Sequence, residues 1–192
     1  MLRQTLAAAA TAVILSGPAA RANDFAPNMQ VYLDSYIAAW AADPVILDAL
    51  RKGNAATAGW TQDRIDAADS RWRAEVGSAS TPTIDAVLSG PAAEFLRARV
   101  TESGGAITEV FIMDNHGLNV AASSVTSDMW QGDEAKFSET YGKGPGAVHF
   151  SDIELDESSQ RYQGQISFTI VDPASGEMLG AMTVGVDAES LM

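Results

Sequence analysis

The chain of 192 residues contains no cysteine, so no disulfide braces it and its fold must rest on a packed core. Histidine occurs twice, at His116 and His149, without the close spacing of a zinc ligand pair. Cations are scarce as well. Twelve Lys and Arg face 25 Asp and Glu, for a formal charge of −13. That balance excludes nucleic acid and anionic membrane surfaces as expected partners. No apolar run reaches the ~20 residues that span a bilayer. Missing too are the Gly-x-Ser-x-Gly elbow and any triad spacing of Ser, His and Asp. Gly142-Lys143-Gly144-Pro145-Gly146 lacks the spacing of a phosphate loop, and Asp128, Asp133 and Glu134 lack the order of a calcium loop. Carboxylate pairs are abundant, but so acidic a chain forms them by chance, and they carry no glycosidase signal. No enzyme class, metal or cofactor is implied.

The beginning of the chain reads as an address. Arg3, a small and apolar run over residues 6–15 broken only by Thr11, and Ala20-Arg21-Ala22 have the form of a secretory signal peptide. Cleavage is expected after Ala22, which removes two cations and leaves a more acidic chain outside the cytoplasm, periplasmic or secreted. Residues 1–22 are thus set apart, and residues 23–192 are expected to form one domain without membrane insertion. A domain of this size buries ~70% of its unfolded surface, enough to stand without disulfides.

Residues 23–105 read as helices. Met29, Tyr32, Tyr36, Ile37 and Trp40 recur at helical spacing. Asp43-Pro44 restarts the pattern as a cap with proline in the first turn, and Gly53 offers a stop after Leu50. Thr61 is a second cap, followed by the stripe Ile65, Ala68, Trp72 and Val76, with Asp66, Asp69 and Arg73 expected on the solvated side. A short helix over 83–88 and another over 92–100, with Phe95, Leu96 and Val100 inward, complete this half. These stripes are expected to be core.

Residues 106–192 read as strands around one helix. Val110-Phe111-Ile112-Met113-Asp114 and Leu118-Asn119-Val120-Ala121-Ala122 flank the turn formers Asn115-His116-Gly117, a hairpin pattern. A polar, acidic stretch containing Trp130 leads to a helix over 135–141. A third strand is expected over 147–155, with His149, Ser151 and Ile153 on one face. From 162 to 171 the alternation is strict. Tyr162, Ile166, Phe168 and Ile170 share one face, and Gln163, Gln165, Ser167 and Thr169 the other. After the turn Asp172-Pro173-Ala174-Ser175-Gly176, the last strand runs from 178 to 187. Its Gly180 and Gly185 weaken it unless something approaches the backbone closely.

Three segments carry a resemblance to a known family. Met113-Asp114-Asn115-His116-Gly117-Leu118-Asn119-Val120-Ala121, Thr126-Ser127-Asp128-Met129-Trp130-Gln131-Gly132-Asp133-Glu134 and Val171-Asp172-Pro173-Ala174-Ser175-Gly176-Glu177-Met178-Leu179-Gly180-Ala181 together resemble the extracytoplasmic, PAS-like Cache sensor domains. The resemblance implies an α+β fold with N-terminal helices packed on a five-stranded antiparallel sheet. It also implies a segment after the second strand that covers the sheet and lines a ligand pocket. In these terms the candidate ligand-binding residues are Trp130, Asp128, Gln131 and Asp133, with His149, Ser151 and Thr169 from the sheet.

Trp130 beside carboxylate and amide groups can stack on a small ligand while they orient it. Equally, Trp130 can plug the core while Asp128 caps the next helix with Gln131 in a capping box. Acidic neighbours favour an amine or amino acid first, purines second and simple carboxylic acids last. The expected role is a non-enzymatic sensor domain reporting its ligand state to a partner such as a membrane receptor or kinase. The alternatives are an interaction subunit of a membrane receptor with no ligand of its own, and an enzyme of unrecognised type.

Overall fold

A computed structural model describes residues 23–156 and 160–192, and the signal peptide expected over 1–22 lies outside the described residues. The chain opens with α1 (Ala26–Tyr32), which continues through a π-helical turn (Leu33–Ile37) and a 3-10 stretch (Ala38–Ala42). Met29, Leu33 and Ile37, four residues apart, stay buried through this change of winding, while Tyr36 is left 62% exposed. The single stripe expected here is therefore broken, and Tyr36 is not part of it.

Helix α2 (Pro44–Thr57) starts as the sequence suggests, with the Asp43 carboxylate accepting from the Val45 amide at 2.9 Å. It does not stop at Gly53. A Cβ built there would lie 2.6 Å from Val120 Cγ2, so this glycine lets the helix approach a strand instead of ending it. Helix α3 (Gln62–Glu75) begins after Thr61, whose hydroxyl caps nothing, and it ends before Val76, which is 47% exposed. Asp69 departs from expectation in the other direction. It is buried at 8% exposure, because the stretch 126–131 folds over that flank of the helix. The helices α4 (Pro82–Leu88) and α5 (Pro91–Glu102) follow, each with a proline in its first turn.

Six strands form one antiparallel sheet: β1 (Ile107–Met113), β2 (Asn119–Ala122), β3 (Val148–Phe150), β4 (Glu154–Leu155), β5 (Tyr162–Val171) and β6 (Met178–Asp187). Their order is β2-β1-β6-β5-β3, with β4 also paired to β5. The architecture is α+β, helices on an antiparallel sheet. At the β1–β2 hairpin the buried Asp114 carboxylate accepts from the His116 and Leu118 amides and from the Thr57 hydroxyl, which fastens the turn to α2. Helix α6 (Ala135–Ser138) is one turn long, shorter than the expected 135–141.

The two sheet faces have different chemistry. Val110, Ile112, Ile166, Phe168, Ile170, Met182, Val184 and Val186 join Met29, Leu33, Ile37, Ile46, Leu50 and Leu96 from the helices in the main core. On the other face, Phe111, Met113 and Ala181 pack with Trp72, Ile84, Val87 and Phe137 in a second cluster. Tyr162 shares the parity of the core face but sits at the strand's end and is 63% exposed.

Two register shifts decide what the second face presents. In the β1–β6 ladder, Ile107 pairs with Val186 but Glu109 with Gly185, so one extra residue lies on β1. Because alternate residues face opposite ways, that shift puts Ile107 into the core and turns Glu109 to the other side. The expected third strand is likewise split. Phe150 pairs with Ile166 and Glu154 with Gln163, again one residue more than a regular ladder allows. The Ser151 hydroxyl accepts from the Gln165 amide at 2.8 Å within this break. Ser151 and Glu154 thereby reach the same face.

Candidate functional site

That second face is the floor of a cavity of about 280 Å³, small beside the ~300–1,000 Å³ of drug-sized sites. Glu109 and Phe111 of β1 and Gln163 and Gln165 of β5 form the floor. Thr126, Ser127, Gln131, Glu134 and Lys136 close it from above, and Ser151, Glu154, Leu155 and Asp156 form its outer rim. Glu154 and Leu155 are exposed, so the mouth lies on that side.

Glu109 is the central group of the floor. It is 3% exposed, and its Oε1 accepts from Gln163 Nε2 at 2.8 Å and Gln165 Nε2 at 3.2 Å. Burial pushes its carboxyl above the usual carboxylate range, and the charge of Asp156 adds to the rise. The amide donors and Lys136 act against it. A carboxylate placed so is worth most to a ligand that brings a positive charge, because ionising it dry and unaided is costly.

The Lys136 ammonium is held inside the lid. It lies 3.0 Å from Glu134 Oε2, donates to Gln131 Oε1 at 3.1 Å and stands 5.6 Å above the Phe111 ring. Gln131 in turn donates through Nε2 to Asp128 Oδ1. Burial, with Glu134 and Asp69 nearby, raises the Asp128 carboxyl, and Arg73 at 3.5 Å opposes the rise.

The lid is fixed to the helical layer by directed bonds. Asp69 Oδ1 accepts from the backbone amides of Met129 and Trp130, at 2.9 and 3.1 Å. Trp72 Nε1 donates to the Thr126 carbonyl at 2.9 Å, and the Thr126 hydroxyl donates to the Asp128 carbonyl at 2.6 Å. The cavity roof therefore rests on α3.

Of the residues the sequence nominated, Gln131 and Ser151 stand in the cavity wall, with Asp128 directly behind Gln131. Trp130 does not line it. Its backbone pairs with Leu118 and its indole Nε1 donates to the His116 carbonyl at 2.8 Å, which closes the segment over the hairpin turn. Asp133 is exposed away from the cavity lining, and His149 lies half-buried on β3 opposite Ser167. Thr169 is buried further along β5, its hydroxyl donating to the Gly144 carbonyl at 3.0 Å.

Glu109 and Lys136 were not nominated. The signal for Glu109 is a charged residue at the edge of an apolar run, but its facing depends on the β1 register shift. Lys136 reads as an exposed cation of a short helix. Gln163 and Gln165 were assigned to the polar face without a role.

No protein family model matches the chain, and no curated protein does. Solved structures do. The ligand-binding domain of the Campylobacter jejuni chemoreceptor Tlp3, in complex with 4-methylisoleucine, is 11% identical at a TM-score of 0.43, covering 85% of this chain and 62% of that one. The sensor domain of the V. cholerae histidine kinase DctB is 13% identical at 0.38, covering 86% and 56%. The ligand-binding domain of the Pseudomonas aeruginosa PAO1 amino acid chemoreceptor PctC, in complex with GABA, is 11% identical at 0.38, covering 66% and 61%. The chain spans less than two thirds of each of these chains. Among the described residues no helix is long and apolar enough to cross a membrane.

Proposed function

We propose that this protein is an extracytoplasmic sensor domain that binds a small ammonium compound, an amine or amino acid, over the polar face of its sheet and presents that state to a partner protein. The observation that carries the reading is Glu109, a buried carboxylate on the floor of a cavity sized for a small ligand, raised by burial and held by two amides. An incoming ammonium supplies the charge that ionises Glu109 without leaving it dry. The roof over this site is bonded to α3 through Asp69 and Trp72, a direct route by which occupancy reaches the helical layer. Export rests on the pattern of residues 3–22, and the sensor role on the resemblance of the three segments in the second half of the chain. The family's function is carried by its site, so the site is where the test belongs.

The test is a thermal-shift screen of amines, amino acids, carboxylic acids and purines. A ligand at 100 times its Kd adds ~2.7 kcal/mol to stability. Amines or amino acids should stabilise the protein, and Glu109→Gln should remove that gain while the variant stays folded. Stabilisation by carboxylic acids alone, or ligand binding unchanged in Glu109→Gln, would overturn the reading.

A further inference from the structure

We propose that the cavity selects a linear aliphatic diamine, one ammonium seated on Glu109 at the floor and the other between Glu154 and Asp156 at the mouth. This rests on the reading of the cavity as an ammonium site and narrows it. Four carboxylates line the cavity, those of Glu109, Glu134, Glu154 and Asp156, against the single cation Lys136. Lys136 is already engaged by Glu134 at 3.0 Å and by Gln131 at 3.1 Å, so that pair cancels within the roof. The carboxylates of floor and mouth have no second cation among the lining residues. An amino acid would bring its own carboxylate into this field. The one ammonium able to receive it is shared with Glu134 and has Asp128 behind it through Gln131. A monoamine balances one of the two poles, and a diamine balances both.

The spacing fits the same class. Glu109 lies on β1 and Glu154 on β4, with β6 and β5 between them, three strand spacings or ~14 Å of backbone. Each glutamate reaches inward along its own side chain, which leaves the length of a short alkyl chain between the two carboxylates. Phe111, two residues from Glu109 on the same face, and Leu155 at the mouth supply the apolar surface for that chain. The rise of the Glu109 carboxyl under the charge of Asp156 agrees with two like groups facing one space.

Three probes of one chain length decide it: 1,4-diaminobutane, butylamine and 4-aminobutanoate, titrated calorimetrically near neutral pH. The diamine should bind about ten-fold more tightly than butylamine, the worth of one further favourable ion pair of ~1.4 kcal/mol, and 4-aminobutanoate most weakly. In the surface double variant Glu154→Gln, Asp156→Asn the diamine should fall to the level of butylamine, whose own affinity stays unchanged. If 4-aminobutanoate binds as tightly as the diamine, or butylamine does, the diamine assignment fails while the ammonium site stands. If none of the three binds and Glu109→Gln changes nothing in a wider ligand screen, both fail together.

Discussion

Gly185 sits opposite Glu109 in the β1–β6 ladder, and the floor of the cavity depends on its missing side chain. Glu109 and Gln165 belong to strands on either side of β6, yet their side chains meet at 3.2 Å above it. A Cβ built on Gly185 would lie 2.9 Å from Glu109 Cγ and 2.7 Å from Gln163 Oε1. Gly185→Ala should therefore cost about 1–3 kcal/mol, the usual penalty of overpacking, and should displace the Glu109 carboxylate. Urea denaturation measures the first effect and ligand stabilisation the second. A variant as stable as the parent, with full ligand response, would show that Glu109 and Gln163 do not meet over this strand.

Glu109 also predicts a pH dependence of stability. Its carboxyl is raised in the folded protein by burial, then by Asp156, and ordinary in the unfolded chain. As pH rises from the ordinary carboxylate value, the unfolded chain releases this proton first. Stability therefore falls through the window between the unfolded and folded values, and the whole penalty is present above it. Glu109→Gln keeps an acceptor for Gln163 and Gln165 and removes the ionisation. The stability of the variant relative to the parent should rise with pH across that window and then level off. Taking the difference between the two proteins cancels Asp128, raised like Glu109, and Asp172, held low by its bond to Arg51. A difference that stays flat with pH would remove Glu109 from the buried, raised groups.

Local chemistry made part of this fold legible. Asp43 and Pro44 start α2 as their types require, because a cap and a first-turn proline act within one turn. The alternation along β5 separates Ile166 and Phe168 from Gln163 and Gln165, because the strand period is fixed by the backbone. What stayed hidden depends on neighbours distant in sequence. Glu109 faces the cavity only because β1 carries an extra residue before it. Asp69 reads as a solvated residue of α3 until a segment some 60 residues later lies on it. Trp130 has the composition of a binding residue, but the chain uses it to close its own hairpin.

Gly53 shows the same override with a measurable consequence. In an exposed helix interior, replacing glycine by alanine stabilises by ~1 kcal/mol. Here the new Cβ would stand 2.6 Å from Val120 Cγ2, so Gly53→Ala should destabilise the protein instead. In a Val120→Ala background the obstruction is gone, and the same substitution should stabilise by ~0.5–1 kcal/mol. A double-mutant cycle by urea denaturation reads the change of sign. Stabilisation of equal size in both backgrounds would mean that α2 does not approach β2 this closely.

The start of the chain carries a simpler prediction. Arg3, the apolar run over residues 6–15 and Ala20-Arg21-Ala22 place cleavage after Ala22. N-terminal sequencing of the exported protein should begin at Asn23. Recovery of the exported protein with Met1 intact would rule the signal peptide out.

The last prediction concerns the roof of the cavity. Asp69 accepts from the Met129 and Trp130 amides through Oδ1, and its Oδ2 lies 2.8 Å from Arg73 Nε. Asp69→Ala leaves two backbone donors without their acceptor, at roughly 1–3 kcal/mol for an unsatisfied buried group. Asp69→Asn keeps an oxygen for those amides and loses the charge facing Arg73, which is 60% exposed and contributes little. Alanine should therefore destabilise the protein more than asparagine does. The roof should also loosen more, read by the fluorescence of Trp130 in a protein where Trp40, Trp60 and Trp72 are replaced by phenylalanine. Ligand response should follow the same order, weakened in Asp69→Ala and largely retained in Asp69→Asn, because Gln131 and Lys136 reach the cavity from this roof. Trp130→Phe should spare that response, since the indole bonds to His116 and not to the cavity. Equal effects of alanine and asparagine would show that the charge of Asp69, and not its two amide bonds, holds the roof. A ligand response lost in Trp130→Phe would return Trp130 to the binding site.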